Sequence, residues 1–169
     1  PMPQKSAFTG KYVKADVPVN EKIVSHIDGA IFQDEAYHIL ITSKGVNIEA
    51  TTQRGLYWAR QTMAQLKTDK KGKQLLPLCE ITDWPAFRIR GYMHDIGRSY
   101  IPVDELKAEI AMLSRFKINT FHWHLTENQA WRPGSKLYPQ LHAPATMEGS
   151  KGKQYTLAAA RDPDAFDRQ

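Results

Sequence analysis

Apolar and polar positions change period several times along the chain, and each change marks an element. Residues 1 to about 30 are weakly patterned and broken by Pro1, Pro3, Gly10 and Pro18, with a short helix expected over Val19–Ile27. From Ala36 the signal sharpens. Tyr37, Ile39 and Ile41 alternate with His38, Leu40 and Thr42, which is strand periodicity. Ser43-Lys44-Gly45 reads as a turn, and Val46, Ile48 and Ala50 begin a returning strand, so the segment is predicted to be a β-hairpin. Between Gln53 and Lys67 the period lengthens: Leu56, Ala59, Met63 and Leu66 share one helical face, with Arg54, Gln61 and Gln65 away from it. Tyr57 and Trp58 read as packing residues of that helix. Asp69–Gln74 reads as a polar linker and Leu75–Ile81 as a short extended run leading into Asp83-Trp84-Pro85.

The second half has a different order. Phe87–Asp95 is predicted as a strand and Pro102–Phe116 as an amphipathic helix whose buried stripe is Val103, Leu106, Ile110 and Leu113. Proline suits the first helical turn, where its missing N–H costs nothing. Asp104 and Glu105 at the start, with Arg115 and Lys117 near the end, complement the helix dipole. Ile118–Leu125 is the next strand; Phe121, Trp123 and Leu125 should pack on helices, turning Thr120, His122 and His124 to the opposite face. A strand–helix–strand crossover this short implies parallel strands joined with right-handed sense. Both strands run into polar clusters, Asp95–Arg98 and His124–Arg132, which is where barrel enzymes keep their active sites. After Arg132 the pattern loosens into a long loop, Thr156 reads as the cap of a short helix over Leu157–Arg161, and the chain ends at Gln169 as if cut. The expected organisation is a small α+β domain over residues 1–84, followed over residues 85–169 by an α/β segment with about two βα units.

Composition narrows the function classes. In 169 residues, 41% hydrophobic and 24% charged content is that of a globular chain able to bury a core. No apolar run approaches the roughly 18 residues of a membrane span, so no membrane partner is expected. The Pro1–Lys5 segment has no apolar signal core, so an export signal is absent or already removed. Cys79 is single, which excludes an internal disulfide. The net charge of +5 is local: Lys67, Lys70, Lys71 and Lys73 crowd around Gly72 without an interleaved aromatic residue. That reads as a solvated loop, with no nucleic-acid partner.

The residues that carry chemistry are arranged in a recognisable order. Arg90-Gly91 opens one strand, Asp95 lies near its end and Arg98 three residues later; Lys117-Ile118-Asn119 precedes the next, followed by His124-Leu125-Thr126 through Trp131-Arg132. Before them come Tyr37–Ala50, Arg54-Gly55-Leu56, Gln61-Thr62, Gln65-Leu66 and Asp83-Trp84-Pro85-Ala86-Phe87. Over roughly residues 30 to 160 this order resembles glycoside hydrolase family 20, the family of the β-N-acetylhexosaminidases. The resemblance implies a small α+β domain ahead of a (β/α) TIM barrel. It also implies exo-acting, retaining removal of terminal N-acetylglucosamine or N-acetylgalactosamine from glycans or chitooligosaccharides, in a periplasmic or secreted setting. The mechanism it implies is substrate-assisted: the sugar's own acetamido oxygen attacks the anomeric carbon, so neither an enzyme nucleophile nor a cofactor is expected. Arg98 matches the arginine that grips sugar hydroxyls, its other reading being a structural ion pair with Asp95; Asp95 and His124 would support the site, and Glu127 either ligates sugar or pairs with Arg132.

The departures from that pattern set the alternatives. The catalytic Asp–Glu pair of the family belongs after the fourth barrel strand, and neither Asp34-Glu35 nor Asp104-Glu105 corresponds to it. The acidic pair after the strand-two threonine appears here as Glu127-Asn128. Too few residues follow Pro85 for the roughly 250 of a full barrel, so the isolated chain is expected to be inactive, with the missing barrel portion or a partner chain needed. One alternative is a non-catalytic, truncated sugar-contacting protein. Another is a metal-dependent amidohydrolase-like enzyme using His94, His122 and His124, but nothing downstream supplies further ligands, and no metal is expected.

Overall fold

The structure, a computed structural model, describes residues 1–156. The chain divides into two compact units, Pro1–Arg88 and Ile89–Gln169.

In the first unit the alternating segment becomes β3 (Tyr37–Thr42) and β4 (Gly45–Ala50), paired antiparallel with Tyr37 opposite Ala50 and Thr42 opposite Gly45. Alternation places Tyr37, Ile39, Ile41, Val46, Ile48 and Ala50 on one buried face. The helix α1 (Gln53–Leu66) lays Leu56, Trp58, Ala59 and Met63 on that face, as its spacing predicts. Thr52 caps α1 by accepting a hydrogen bond from the Gly55 N–H at 3.1 Å. On the other side of β3, β6 (Lys73–Asp83) pairs antiparallel and adds Leu76, Cys79 and Ile81 to the core. One polar group is sealed in: Tyr37 donates to Asp83 Oδ2 at 2.7 Å and receives the Thr62 hydroxyl at 2.7 Å. Burial first, then the neighbouring Asp83 charge, pushes the Tyr37 phenol far above its ordinary range.

The edges of this sheet depart from the sequence reading. β1 (Lys5–Lys14) pairs antiparallel with β6, and β2 (Val19–Ile23) pairs parallel with β4, giving the strand order β1-β6-β3-β4-β2. The helix expected over Val19–Ile27 is therefore a strand in its first half. Backbone pairing from Val19 opposite Val46 to Ile23 opposite Ala50 decides it, and every residue of β2 is exposed, so no apolar period marks it. The expected polar linker at Asp69–Gln74 is a hairpin, in which β5 (Thr68–Lys70) pairs with the start of β6. Lys71 and Gly72 at its tip have φ of 55° and 76°, the left-handed pair of a tight hairpin turn.

In the second unit β7 (Gly91–Asp95), α2 (Val103–Arg115) and β8 (Thr120–His124) form the expected crossover, with β7 and β8 parallel and Asp95 opposite His124. The strand starts four residues later than Phe87; Phe87 and Ile89 are exposed. Ile96, Leu106 and Tyr155 are the buried centre, with Val103, Phe121, Trp123 and Leu125 packed around them. Of the predicted helix stripe only Leu106 is fully buried. The opposite face of the strand pair carries Met93, Asp95, His122 and His124, and Met93 is 53% exposed. β9 (Thr126–Glu127) and β10 (Ala130–Trp131) then make a minimal hairpin. No helix among the described residues is long and apolar enough to cross a membrane. The helix expected after Thr156, over Leu157–Arg161, lies outside the described residues.

Gly55 gives a test in which propensity and packing oppose each other. A methyl group there would lie 2.6 Å from the Ala36 carbonyl oxygen and 3.1 Å from the Ala50 side chain. Helix propensity alone favours Gly55→Ala by roughly 1 kcal/mol. Overpacking against the hairpin reverses the sign, and we expect a net loss of about 1–3 kcal/mol in urea unfolding of the first unit.

Candidate active-site loops of the second unit

The turn that follows β7 brings Arg98 back over Asp95. Asp95 Oδ1 accepts the Arg98 backbone N–H at 3.1 Å, and Asp95 Oδ2 lies 3.3 Å from the Arg98 guanidinium. From the neighbouring strand end, Glu127 Oε2 accepts from Arg98 Nη2 at 3.3 Å, and His124 Nδ1 lies 3.5 Å from Asp95 Oδ1. All four residues singled out in the sequence thus meet at the C-terminal ends of two adjacent parallel strands. Their close approach needs Gly97, where a methyl group would lie 2.9 Å from Glu127 Cβ and 3.2 Å from Asp95 Oδ1. Burial alone would push the Asp95 carboxyl up; the Arg98 N–H, the Arg98 and His124 charges and the Gly97 N–H together hold it below the usual carboxylate range. The pairing of Glu127 with Arg132 does not occur.

Arg132 is instead the anchor beneath these loops, and the sequence reading missed that role. Its side chain is completely buried. It donates to the carbonyls of Ile96 at 2.9 Å and Gly97 at 3.0 Å, in the turn that carries Arg98. It also donates to those of Gly149 at 2.9 Å, Ser150 at 3.0 Å and Lys153 at 3.1 Å. Burial pulls its pKa down against the opposing pull of the Tyr155 and Tyr100 phenols. Tyr155 completes the anchor: its backbone pairs with Arg132 and Gly134, and its hydroxyl donates to the Ile101 carbonyl at 2.6 Å. Burial first, then Tyr100, pushes the Tyr155 phenol up to about 12. The only sequence signal for this scaffold was Trp131-Arg132 closing the polar cluster.

Two further motifs also acquire physical roles. Asn119 Oδ1 accepts the Arg90 N–H at 2.9 Å and the Lys117 carbonyl accepts Arg90 Nε at 2.6 Å, so Lys117-Ile118-Asn119 fixes the start of β7. His94 faces α2, where its Nδ1 lies 2.7 Å from Glu109 Oε2, so it is not part of the loop cluster. His122 and His124 do share a face, with ring centroids 5.7 Å apart. Asp34 and Glu35 sit in a short 3-10 turn of the first unit, and Asp104 and Glu105 in the first turn of α2.

Among the described residues, the group that could hold a metal is Asp95, His124 and Glu127, whose ligand atoms lie within 4.8 Å of one another. Ligands around one zinc ion, bound at about 2.0–2.1 Å, stand roughly 3.3 Å apart. Here the Arg98 guanidinium lies on both carboxylates. The set is built around a resident cation of the protein itself.

Two family models match the chain: one described as glycosyl hydrolase family 20, domain 2, over residues 4–84, and one described as glycosyl hydrolase family 20, catalytic domain, over residues 87–163. The chain belongs to glycosyl hydrolase family 20. Among its relatives in that family, a β-hexosaminidase of Porphyromonas gingivalis is 36% identical over 148 residues, covering 82% of this chain and 19% of the relative. An N,N'-diacetylchitobiase of Vibrio harveyi is 31% identical over 138 residues, covering 81% and 16%. The chitobiase of Flavobacterium johnsoniae shares the fold with a TM-score of 0.82 at 23% identity, over 98% of this chain and 32% of that one. The chain therefore spans about a fifth of the length of these curated family 20 relatives.

The family 20 loop cluster yields two expectations. Arg132→Met removes the donor from the buried carbonyls of Ile96 and Gly97 and from the part-buried ones of Gly149 and Lys153, and we expect it to cost the second unit about 3 kcal/mol or more, with Arg132→Lys recovering only part. Hydrogen exchange at the Ile96 and Gly97 amides locates that loss. Asp95 is held low in the folded state, so its contribution is present above the ordinary carboxylate pKa of about 3.9 and lost as pH falls through its lower folded value. Asp95→Asn should flatten acid destabilisation below about pH 4; an unchanged acid limb in a denaturation series would contradict the Arg98 pairing.

Proposed function

We propose that this chain is the N-terminal part of an exo-acting, retaining β-N-acetylhexosaminidase, and that β7, α2 and β8 begin a (β/α) barrel. On this reading residues 1–84 are the small α+β domain and residues 85–169 open the catalytic barrel. The observation that carries it is the meeting of Arg98, Asp95, His124 and Glu127 at adjacent strand C-termini, where a barrel holds its substrate. The chitobiase relative, and a Vibrio harveyi exo β-N-acetylglucosaminidase known in complex with N-acetylglucosamine, support the substrate class.

Arg98 is the substrate-binding residue of this proposal. Its guanidinium is held by two carboxylates while its side chain remains 62% exposed, so its remaining donors can pair with sugar hydroxyls. Asp95 and Glu127 keep the fork oriented, and His124 orients Asp95. Bond cleavage then follows the substrate-assisted course. The acetamido oxygen displaces the aglycone at the anomeric carbon, a general acid gives the leaving oxygen its proton, and water opens the cyclic intermediate with retention. That acid and the residue that orients the acetamide are assigned to sequence outside this chain, because neither Asp34-Glu35 nor Asp104-Glu105 corresponds to the family's pair after the fourth barrel strand.

The test is hydrolysis of a chromogenic N-acetyl-β-glucosaminide. The 169-residue chain should show no turnover, and a chain extended to the full length of its relatives should show it. In the extended enzyme Arg98→Ala should lower kcat/KM roughly 10- to 150-fold, the worth of about 1.5–3 kcal/mol for hydrogen bonds from a charged donor. Turnover by the short chain would place the acid among residues excluded here. An extended enzyme indifferent to Arg98 would remove the residue from the sugar site.

A further inference from the structure

We infer that the β5–β6 hairpin and the end of β1 form a binding surface for an acidic polysaccharide, one carrying carboxylate or sulfate groups. The register defines the surface. Tyr12 pairs opposite Pro77, Lys14 opposite Leu75, and Lys70 opposite Lys73. Because side chains alternate, Tyr12, Lys14, Lys70, Lys73, Leu75 and Pro77 all lie on one face, and Leu76, between Leu75 and Pro77, points the other way into the core. The first four are exposed, while Leu75 and Pro77 are half-buried. The result is a narrow apolar floor of Tyr12, Leu75 and Pro77 with three ammonium groups around it.

Two local features cost the hairpin stability, and a third leaves its charge without a carboxylate partner. Lys70 and Lys73 are a like-charge pair directly opposite each other, an arrangement that destabilises a strand pair. Lys71 holds a φ of 55° at a turn position that glycine or asparagine fills more easily. Among the described residues, none of Lys14, Lys70, Lys71 and Lys73 pairs with a carboxylate. Departures from local rules that persist together mark a site where function opposes stability. Tyr12 adds order: Lys70 Nζ lies 3.6 Å from the centre of its ring, which fixes one ammonium over the floor. The aromatic residue absent from the lysine run in sequence is thus supplied by a strand nearly sixty residues away.

The composition of the surface selects the ligand. Every cation is a lysine, a point charge suited to single dispersed anions rather than to bidentate phosphate forks. One aromatic ring, already covered by Lys70, offers no platform for successive bases. An acidic glycan places its anionic groups on the lysines and its pyranose C–H groups against Leu75 and Pro77. The choice of a glycan rests on membership in a glycoside hydrolase family, and the test needs no hydrolysis, so it fails or succeeds apart from the proposed activity.

Calorimetric titration of the 169-residue chain with polygalacturonate oligosaccharides and with chondroitin sulfate oligosaccharides tests it. Binding is expected to at least one, weakening at least tenfold between 50 and 200 mM salt in the manner of a multi-charge contact. Neutral chitooligosaccharides of equal length should not compete. Lys14→Gln combined with Lys73→Thr should weaken binding at least tenfold while leaving the melting temperature equal or higher, since the like-charge pair is gone. No binding to either acidic glycan, equal binding of the neutral one, or tighter binding of a single-stranded oligonucleotide would overturn the inference. Lost binding with a lowered melting temperature would also overturn it, by assigning the lysines to the fold.

Discussion

The loops of the second unit depend on one buried cation. Among the described residues Arg132 has no carboxylate partner; its guanidinium is held by carbonyl oxygens of Ile96, Gly97, Gly149, Ser150 and Lys153. Burying a charge costs several kcal/mol unless its hydrogen-bonding capacity is met. The reverse also holds: irregular loops present carbonyls that no helix or strand satisfies, and each would cost about 1–3 kcal/mol if left buried without a donor. Five N–H donors in a rigid fork solve both problems together. The consequence reaches the surface, because two of those carbonyls belong to the turn that places Arg98 above Asp95.

The two faces of the β7–β8 pair divide labour for the same geometric reason. Alternation sends Tyr92, His94, Phe121 and Trp123 to one side and Met93, Asp95, His122 and His124 to the other. The first side is packed or paired, with His94 on Glu109 and Trp123 edge-on to Tyr155 at 4.8 Å. The second keeps Met93 and His122 exposed while its polar end is organised by Asp95 and Arg98. Three histidines close in sequence are thereby split, which removes the His94-His122-His124 grouping on which the amidohydrolase-like alternative rested.

What the sequence disclosed follows from whether a segment's burial was one-sided. The β3–β4 hairpin and α1 each bury one face, so period two and period 3.6 were legible in Tyr37–Ala50 and Leu56–Leu66. β2 and β5 are exposed throughout and are strands only because a neighbour's backbone pairs with them, so Val19–Ile23 and Thr68–Lys70 carried no periodic signal. The members of the loop cluster were legible because strand ends followed by Asp, Arg, His and Glu stand out against apolar runs. Arg132 was not, since a buried arginine and an exposed one are the same letter. Only the carbonyls around it distinguish them, and those come from residues up to 36 positions away.

Charge is handled in opposite ways in the two units, and the difference bears on what each can bind. Arg98 lies 3.3 Å from each of two carboxylates, with a third titratable neighbour in His124, so its cluster has its cation neutralised before any ligand arrives. Such a site rewards hydroxyls, which need directed donors and acceptors but no countercharge. Among the described residues the lysines of the β5–β6 hairpin pair with no carboxylate, and the acid at the turn, Asp69, spends its oxygens on the Gly72 N–H and Gln74 Nε2. A surface left with uncompensated ammonium groups gains most from an anion, and gains it in a salt-sensitive way. The two proposals, a neutral sugar at one unit and a charged polymer at the other, rest on these two arrangements of charge.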